Sequence, residues 1–449
     1  MLPNIIAARS QMGISLAFHI IFSCMGIAMP LLMVLAETIH LRTRDEVYLL
    51  LARRWATGTA ILFAVGAVSG TVLSFELGLL WPHFMAWAGA IIGMPFSLEG
   101  FAFFTEAIFL GLYMYGWDRV SARAHLAAGY IVSFSGMISG VFVVMANAWM
   151  NTPVGFKLDS RGHPYDINPI AALTNPAAFH EVLHMTIAAY AATGFAVAGV
   201  HSFMLLRDRG NPFHQRAVKI SLIMGAVASL MQPLSGDIAA RAVARLQPLK
   251  LAAFEGLFET QPGAPLAILG IPNAETRHLD YAIELPYLLS LMTYHDPHAV
   301  VTGLDSFPQQ DWPQPLFAVH AAFQVMVGAG MALAALSLWS LWLLWRRNTI
   351  FDSAWFLRTL VAATPLGLIA VEAGWVVTEV GRQPWIIYRV MLTRDAVTPM
   401  PGLEVQLFLF TSLYIFLGIT VLRLMWRHVM RSPDSEEVAR MLRRRALVA

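Results

Sequence analysis

One cysteine, Cys24, stands among 449 residues. This chain alone therefore builds no disulfide framework, no cysteine-ligated cluster and no thioether-linked cofactor. Cys24 lies inside an apolar run and reads as a small buried hydrophobe. Charge is also scarce: 13% of residues are charged, against about 25% in an average soluble domain. The net charge is +2 with no strongly basic segment, which argues against nucleic-acid binding, because phosphates need a concentrated cationic surface. No small-residue cleavage site follows Met1 to Met12, whose one charge is Arg9. These residues read as the entry to a membrane helix and not as a removable leader. No internal repeat is visible, which removes the usual signature of an inverted-repeat transporter.

What the chain has is apolar length. Hydrophobic residues make up 57% of it, and the mean hydropathy is +0.60. Such a chain cannot hide its surface in water, so the bilayer is its solvent. Uncharged runs occur at Gly13–Ala36, Ala56–Phe75, Leu126–Met150, Val182–Leu206, Ile220–Gly236, Leu316–Trp345 and Val405–Leu422. Two more, Pro95–Trp117 and Thr359–Val380, carry acids within them. A bilayer core takes about 20 apolar residues per helix, so the expectation is an all-α membrane protein of about nine transmembrane helices. With an odd number, the termini fall on opposite sides.

Loop charge orients the bundle. Basic residues follow the first run (Arg42, Arg44, Arg53, Arg54), the third (Arg119, Arg123), the fifth (Arg207, Arg209, Arg216, Lys219) and the seventh (Arg346, Arg347, Arg358). They recur in the tail at Arg427, Arg431, Arg440, Arg443, Arg444 and Arg445, while the connection between the second and third runs has no Lys or Arg. The positive-inside bias places the N-terminus outside and the C-terminus in the cytoplasm. The longest connection, Asp237 to Pro315, is then external; it is polar, contains prolines and carries short helical patterns such as Leu249–Phe258. Connections of that length in compact proteins are usually functional or disordered.

Ionisable groups within membrane helices cost about 2.5–3.5 kcal/mol each, so each needs a reason. They are His19, Glu99, Glu106, His184, His320, Glu372 and Glu379, with Met326 added as a soft ligand. Counted from the run ends, His19, Glu99, His184, Met326 and Glu372 fall within about 15 Å of the outer boundary. Five potential ligands on five helices in one layer suit cofactors held between helices, and haem suits the ligand types. A His/Met pair makes a six-coordinate electron-transfer centre, and a carboxylate or a lone His leaves a position open for a gas. Taken singly, each His is more often a helix–helix hydrogen bond, and a Met is far more often a packing residue. Glu99 and Glu106 are seven residues apart, as are Glu372 and Glu379, so each pair shares a helix face about 10 Å apart along the axis. Stacked carboxylates of this kind resemble a proton relay, which Ser139 in the fourth run extends.

The motifs then resemble subunit I of the cytochrome bd quinol oxidases over essentially the whole chain. The most specific is Gly381-Arg382-Gln383-Pro384-Trp385, preceded by Val371-Glu372-Ala373-Gly374-Trp375. Others are Leu98-Glu99-Gly100, Phe103-Phe104-Thr105-Glu106, Ala146-Asn147-Ala148-Trp149-Met150, Leu183-His184-Met185-Thr186 and Val325-Met326-Val327-Gly328. The resemblance implies that His184 and Met326 ligate a low-spin haem b that receives electrons from quinol. It implies that His19, Glu99 and Glu372 form the ligand set of a high-spin haem b and haem d, where oxygen is reduced, without dividing them between the irons. Glu106 and Ser139 correspond to the proton route from the cytoplasm, used with Glu99, and Lys250 and Glu255 to quinol-loop residues. Arg9, Asn147, Trp375 and Arg382 fall in cofactor-binding positions. Arg382 also has a direct reason to be there, since guanidinium pairs well with haem propionates; Trp385 reads as an interface aromatic.

Two departures from the family pattern stand out. Gln324 occupies a position where many relatives have arginine near the low-spin haem. The outer loop is short and resembles the short-loop branch, which includes cyanide-insensitive members and members with a further haem b in place of haem d. The resemblance implies a second large membrane subunit, with small single-span subunits possible beside it. It implies membrane quinol and oxygen as substrates, the bacterial inner membrane as location, and a proton motive force generated without pumping. Two other readings are a proton-coupled secondary transporter, which predicts inverted repeats, and a cytochrome b without an oxygen site. The latter wants paired histidines, and His320 lies on a different helix face from Met326.

Overall fold

The computed structural model describes residues 3–347, 349–430, 433, 436 and 438–440; Met1, Leu2 and the tail residues Arg431, Arg443, Arg444 and Arg445 lie outside the described residues. Among the described residues nine helices are long and apolar enough to cross a bilayer. In chain order these spans are Asn4–Thr43, Glu46–Leu80, Pro82–Tyr115, Ala122–Asn151, Ala178–Leu205, Pro212–Leu246, Leu316–Arg346, Ala354–Val380 and Leu403–Met430. They overrun the apolar stretches because a helix, once started, continues until a cap or breaker stops it, and its ends can project into the headgroup region. Starts are set locally. Asp45, Ser121 and Asn211 accept hydrogen bonds from the Val47, Ala124 and Phe213 amides, and Pro82 and Pro212 occupy first-turn positions where a missing N–H costs nothing.

Three boundaries differ from the sequence expectation. The third span begins at Pro82 and runs straight through Pro95. Glu99 therefore lies 17 residues into its helix instead of four, and the single ligand layer counted from the apolar runs is thicker than expected. The sixth span continues to Leu246, so the first ten residues of the expected Asp237–Pro315 loop are helical. An interior proline is tolerated where neighbouring helices and local adjustment re-satisfy the backbone. The eighth span is interrupted: Ala354–Ala362 and Leu366–Val380 are separate helices, the break falling where Pro365 disfavours helical geometry in the residue before it.

Consecutive spans pack as hairpins, first with second, third with fourth, fifth with sixth and seventh with eighth, and the ninth lies along the first and second. The first span also meets the fourth and fifth, which puts it at the centre. One end of the bundle gathers the N-terminus and the connections after the even-numbered spans. There Asn4 Nδ2 donates to Met400 O (2.8 Å), Thr398 N to Leu80 O (2.9 Å) and Tyr388 N to Met150 O (2.9 Å). The other end carries the short basic turns, with Arg216 on Asp45 (2.7 Å) and Arg53 on Asp118 (3.4 Å). We refer to these as the loop end and the basic end.

The connection between the sixth and seventh spans is a folded unit. A helix, Pro248–Glu255, stops at Gly256 (φ +69°), a left-handed position that glycine adopts without strain. Three antiparallel strand pairs follow, two of them nested: Leu266–Ile268 with Ile283–Leu285 encloses Ile271–Asn273 with His278–Asp280. Gln261–Pro262 pairs with Val300–Val301 at the base. Leu251, Phe254, Leu289, Val301 and Trp312 form its apolar core.

Candidate functional site

The first five spans and the eighth enclose a cavity of about 910 Å³, near the upper end for small-molecule and cofactor pockets. Its wall carries Arg9, His19, Glu99, Glu106, Ser139, Asn147, Trp375, Glu379 and Arg382. His19 is held at both ring nitrogens, Nδ1 by Ser69 Oγ and Nε2 by Ser23 Oγ, each at 2.9 Å. Ser139 donates to Glu99 Oε1 at 3.2 Å and does not bond back to its own helix. Glu106 is buried about two helical turns further toward the basic end.

His184, Met326 and Glu372 stand apart from that wall. His184 faces the sixth span, with Nδ1 3.0 Å from Ser235 Oγ and Nε2 3.1 Å from Gln232 Nε2. Met326 faces the eighth span, where a Cβ at Gly374 would meet its sulfur at 3.1 Å. Glu372 Oε1 is buried without a hydrogen-bond partner among the described residues. The residues present fit haem. A Cβ at Gly70 would meet the His19 ring at 3.0 Å and one at Gly374 the Met326 sulfur at 3.1 Å, so both glycines leave space that a larger residue would take, while Gly236 stands at ordinary contact distance from His184 (3.6 Å). The orphaned Glu372 oxygen is a potential ligand atom without a partner among the described residues.

A second constellation closes the loop end. Asn147 and Asn151, one turn apart at the end of the fourth span, tie together four segments. Asn147 donates to Glu379 Oε1 (2.5 Å), whose Oε2 accepts from Arg382 Nη2 (2.6 Å). Asn151 Oδ1 accepts from both Lys250 Nζ (2.9 Å) and Arg382 Nη1 (3.2 Å), while its amide donates to Glu181 Oε1 (2.8 Å). Two cations and two carboxylates thus share one buried knot. This places Glu379 differently from the relay that its spacing from Glu372 suggested: it points to the loop end and neutralises Arg382. Arg382, 2% exposed, still lines the cavity and keeps Nε unpaired among the described residues.

Lys250 and Glu255 sit at either end of the short loop helix, both buried. Burial, with Arg382 nearby, pushes the Lys250 ammonium down to about 7. Burial alone pushes the Glu255 carboxyl up to about 8, and its Oε2 has no partner among the described residues. His320 is not a ligand candidate here. Its Nδ1 lies 2.8 Å from Phe254 O and its Nε2 3.1 Å from Leu269 O, so it clamps the loop onto the seventh span. Gln324 does the same, donating to Ala267 O and accepting from Leu269 N, each at 3.1 Å. Gln324 is thus a loop fastener. Trp385 lies in a strand paired with Leu392.

Sequence reasoning missed Asn151, Glu181 and Glu76. Glu76, fully buried, accepts from Gln11 (3.1 Å) and Ser15 (2.8 Å); it ended an uncharged run and so read as the edge of a span. Only the polar i, i+4 column Gln11, Ser15, His19 on the first span, which calls for a polar partner on a neighbouring helix, could have signalled it.

Residues 7–433 match the family model of cytochrome bd terminal oxidase subunit I. The chain is 36% identical over 441 residues to a putative cytochrome bd menaquinol oxidase subunit I of Bacillus subtilis (strain 168), covering 97% of this chain and 99% of that one. It is 33% identical to the cytochrome bd ubiquinol oxidase subunit 1 of the same organism, covering 97% and 95%. The solved bd oxidase from Geobacillus thermodenitrificans superposes with a TM-score of 0.90 at 38% identity, over 96% of this chain and 99% of that one.

Proposed function

This chain belongs to the cytochrome bd terminal oxidase subunit I family, and from that premise we propose how its residues divide the work of a membrane quinol oxidase. Haems, when bound, supply the electron transfer and oxygen chemistry. His184 and Met326 hold a low-spin haem b. His19, Glu99 and Glu372 hold a high-spin haem b and a third haem, d or b, with Arg9, Asn147, Trp375 and Arg382 shaping the chamber and pairing propionates. A second large subunit accompanies the chain, as is typical of the family.

The loop end faces outside, because the opposite end carries the basic turns. Quinol binds there between Lys250 and Glu255 and releases its protons on that side. Glu106, Ser139 and Glu99 carry protons from the basic, cytoplasmic end to the chamber. Because the two proton sets move on opposite faces, the reaction separates charge without a pump. The observation that carries this reading is the shared wall, on which His19 and the Ser139–Glu99 contact open into one cavity with buried Glu106.

A reduced-minus-oxidised absorption spectrum of the purified assembly tests it. Haem b bands with a far-red chlorin band support the reading with haem d, and haem b bands alone support it with an all-b centre. No haem in folded protein would refute it. For the relay, Glu106→Gln should slow oxygen reduction while quinol still reduces the low-spin haem; unchanged turnover would exclude Glu106.

A further inference from the structure

Below Glu106 the third span repeats its spacing once more, at Tyr113, again seven residues on and therefore on the same face. Tyr113 is fully buried near the basic end and belongs to a cluster that the route above does not use. Glu37 of the first span and His125 of the fourth are 3% and 2% exposed, and His125 Nδ1 lies 2.8 Å from Glu37 Oε1. His125 Nε2 lies 2.9 Å from the carbonyl oxygen of Tyr113.

That carbonyl fixes the protonation pattern. A carbonyl oxygen only accepts, so Nε2 carries a hydrogen, and Nδ1 of a neutral ring is then an acceptor. One further proton must lie between Nδ1 and Oε1, giving either imidazolium with carboxylate or imidazole with carboxylic acid. The pair therefore holds a proton in both forms. Glu37 Oε2 and Tyr113 Oη remain buried without hydrogen-bond partners among the described residues, and the Glu37 carboxyl lies near enough to the Tyr113 hydroxyl to act on it. Toward the surface, Trp117 packs against His125 with the rings tilted (4.1 Å between centroids) and carries Arg53, which pairs with the exposed Asp118. Glycines of the fourth span, Gly129 against Tyr113 and Gly136 against Glu106, let both side chains lie in one seam.

We propose that Glu37, held by His125, is the proton-loading residue at the basic end of the route to Glu106. A proton from the basic side binds at Glu37 Oε2 and leaves from the same oxygen past the Tyr113 hydroxyl. It then crosses the gap of about 10 Å along the axis to Glu106 through water, and no bond other than O–H changes. The inference rests on the reading of Glu106 as a relay.

The test uses the assembled enzyme in liposomes. Glu37→Gln keeps a hydrogen bond to His125 and removes the exchangeable proton, Tyr113→Phe removes one hydroxyl, and Glu37→Asp restores a carboxyl. Glu37→Gln should slow the proton-coupled voltage phase of a single turnover by about tenfold or more, with haem content and quinol reduction of the low-spin haem unchanged. Glu37→Asp should recover most of the rate, and Tyr113→Phe should slow the same phase. Parent rates in Glu37→Gln and Tyr113→Phe beside a slow Glu106→Gln would overturn the proposal and leave the relay standing. A fast Glu106→Gln would remove the relay itself. If Glu37→Gln fails to assemble, a parent-rate Tyr113→Phe overturns the proposal by itself.

Discussion

Glu255 makes the stability of the outer loop depend on pH in a direction that can be worked out beforehand. Its carboxyl is pushed from an ordinary 4.5 to about 8 by burial, which corresponds to about 5 kcal/mol against ionisation in the folded loop. Between pH 4.5 and 8 an opened loop releases this proton and the closed loop keeps it, so closure weakens as pH rises. Lys250 acts oppositely. Lowered to about 7, it gives up its proton in the closed state above pH 7 while an opened chain keeps it, so its contribution strengthens closure from there up to its ordinary range. The clean window for Glu255 therefore lies below pH 7. One proton released on opening is worth about tenfold per pH unit, so loop protection should fall about a hundredfold from pH 5 to pH 7. Amide hydrogen exchange at Leu257 and Leu304, which hold the helix end and the loop base, reads this after correction for intrinsic rates. Glu255→Gln keeps the shape and removes the titration, so its protection should be flat over the same range. An equal slope in parent and variant would refute the assignment.

Three further outcomes follow from the packing. Asn151→Leu leaves Lys250 and Arg382 without their shared acceptor, a loss of about 3 kcal/mol or more for two charged hydrogen bonds. It should lower thermal stability and raise KM for quinol, with the low-spin haem spectrum as a control; an unchanged KM would separate the knot from the quinol site. Gln324→Leu removes both fastenings to the Ala267–Leu269 segment, at about 1 kcal/mol each, so limited proteolysis should cut the loop faster while the low-spin haem spectrum stays unchanged. Gly194→Val should block assembly, because even a Cβ there would lie 2.6 Å from backbone atoms of Gly225. Wild-type melting in that variant would show that the fifth and sixth spans pack less closely than described.

The sequence determined the membrane class, the nine apolar spans and the alternation of basic connections, because each depends on composition along one helix or one turn. It also marked His19, Glu99, Glu106, His184 and Glu372, because ionisable residues inside apolar runs need a reason, whereas Met326 stood out from the other methionines only through the resemblance. Helix ends were less legible: Pro95 looked like a start and Gly236 like a stop, but a backbone already hydrogen-bonded continues past both. The tertiary structure alone decided which polar groups meet. Seven-residue spacing puts Glu372 and Glu379 on one face, yet does not say that Glu379 is claimed by Asn147 and Arg382 beyond the helix end. Nothing along the first span says that Glu37 faces His125 of the fourth, or that Gln11 and Ser15 hold Glu76. Periodicity fixes the face of a helix; rotation about its axis and the choice of neighbour come from packing between helices far apart in the chain.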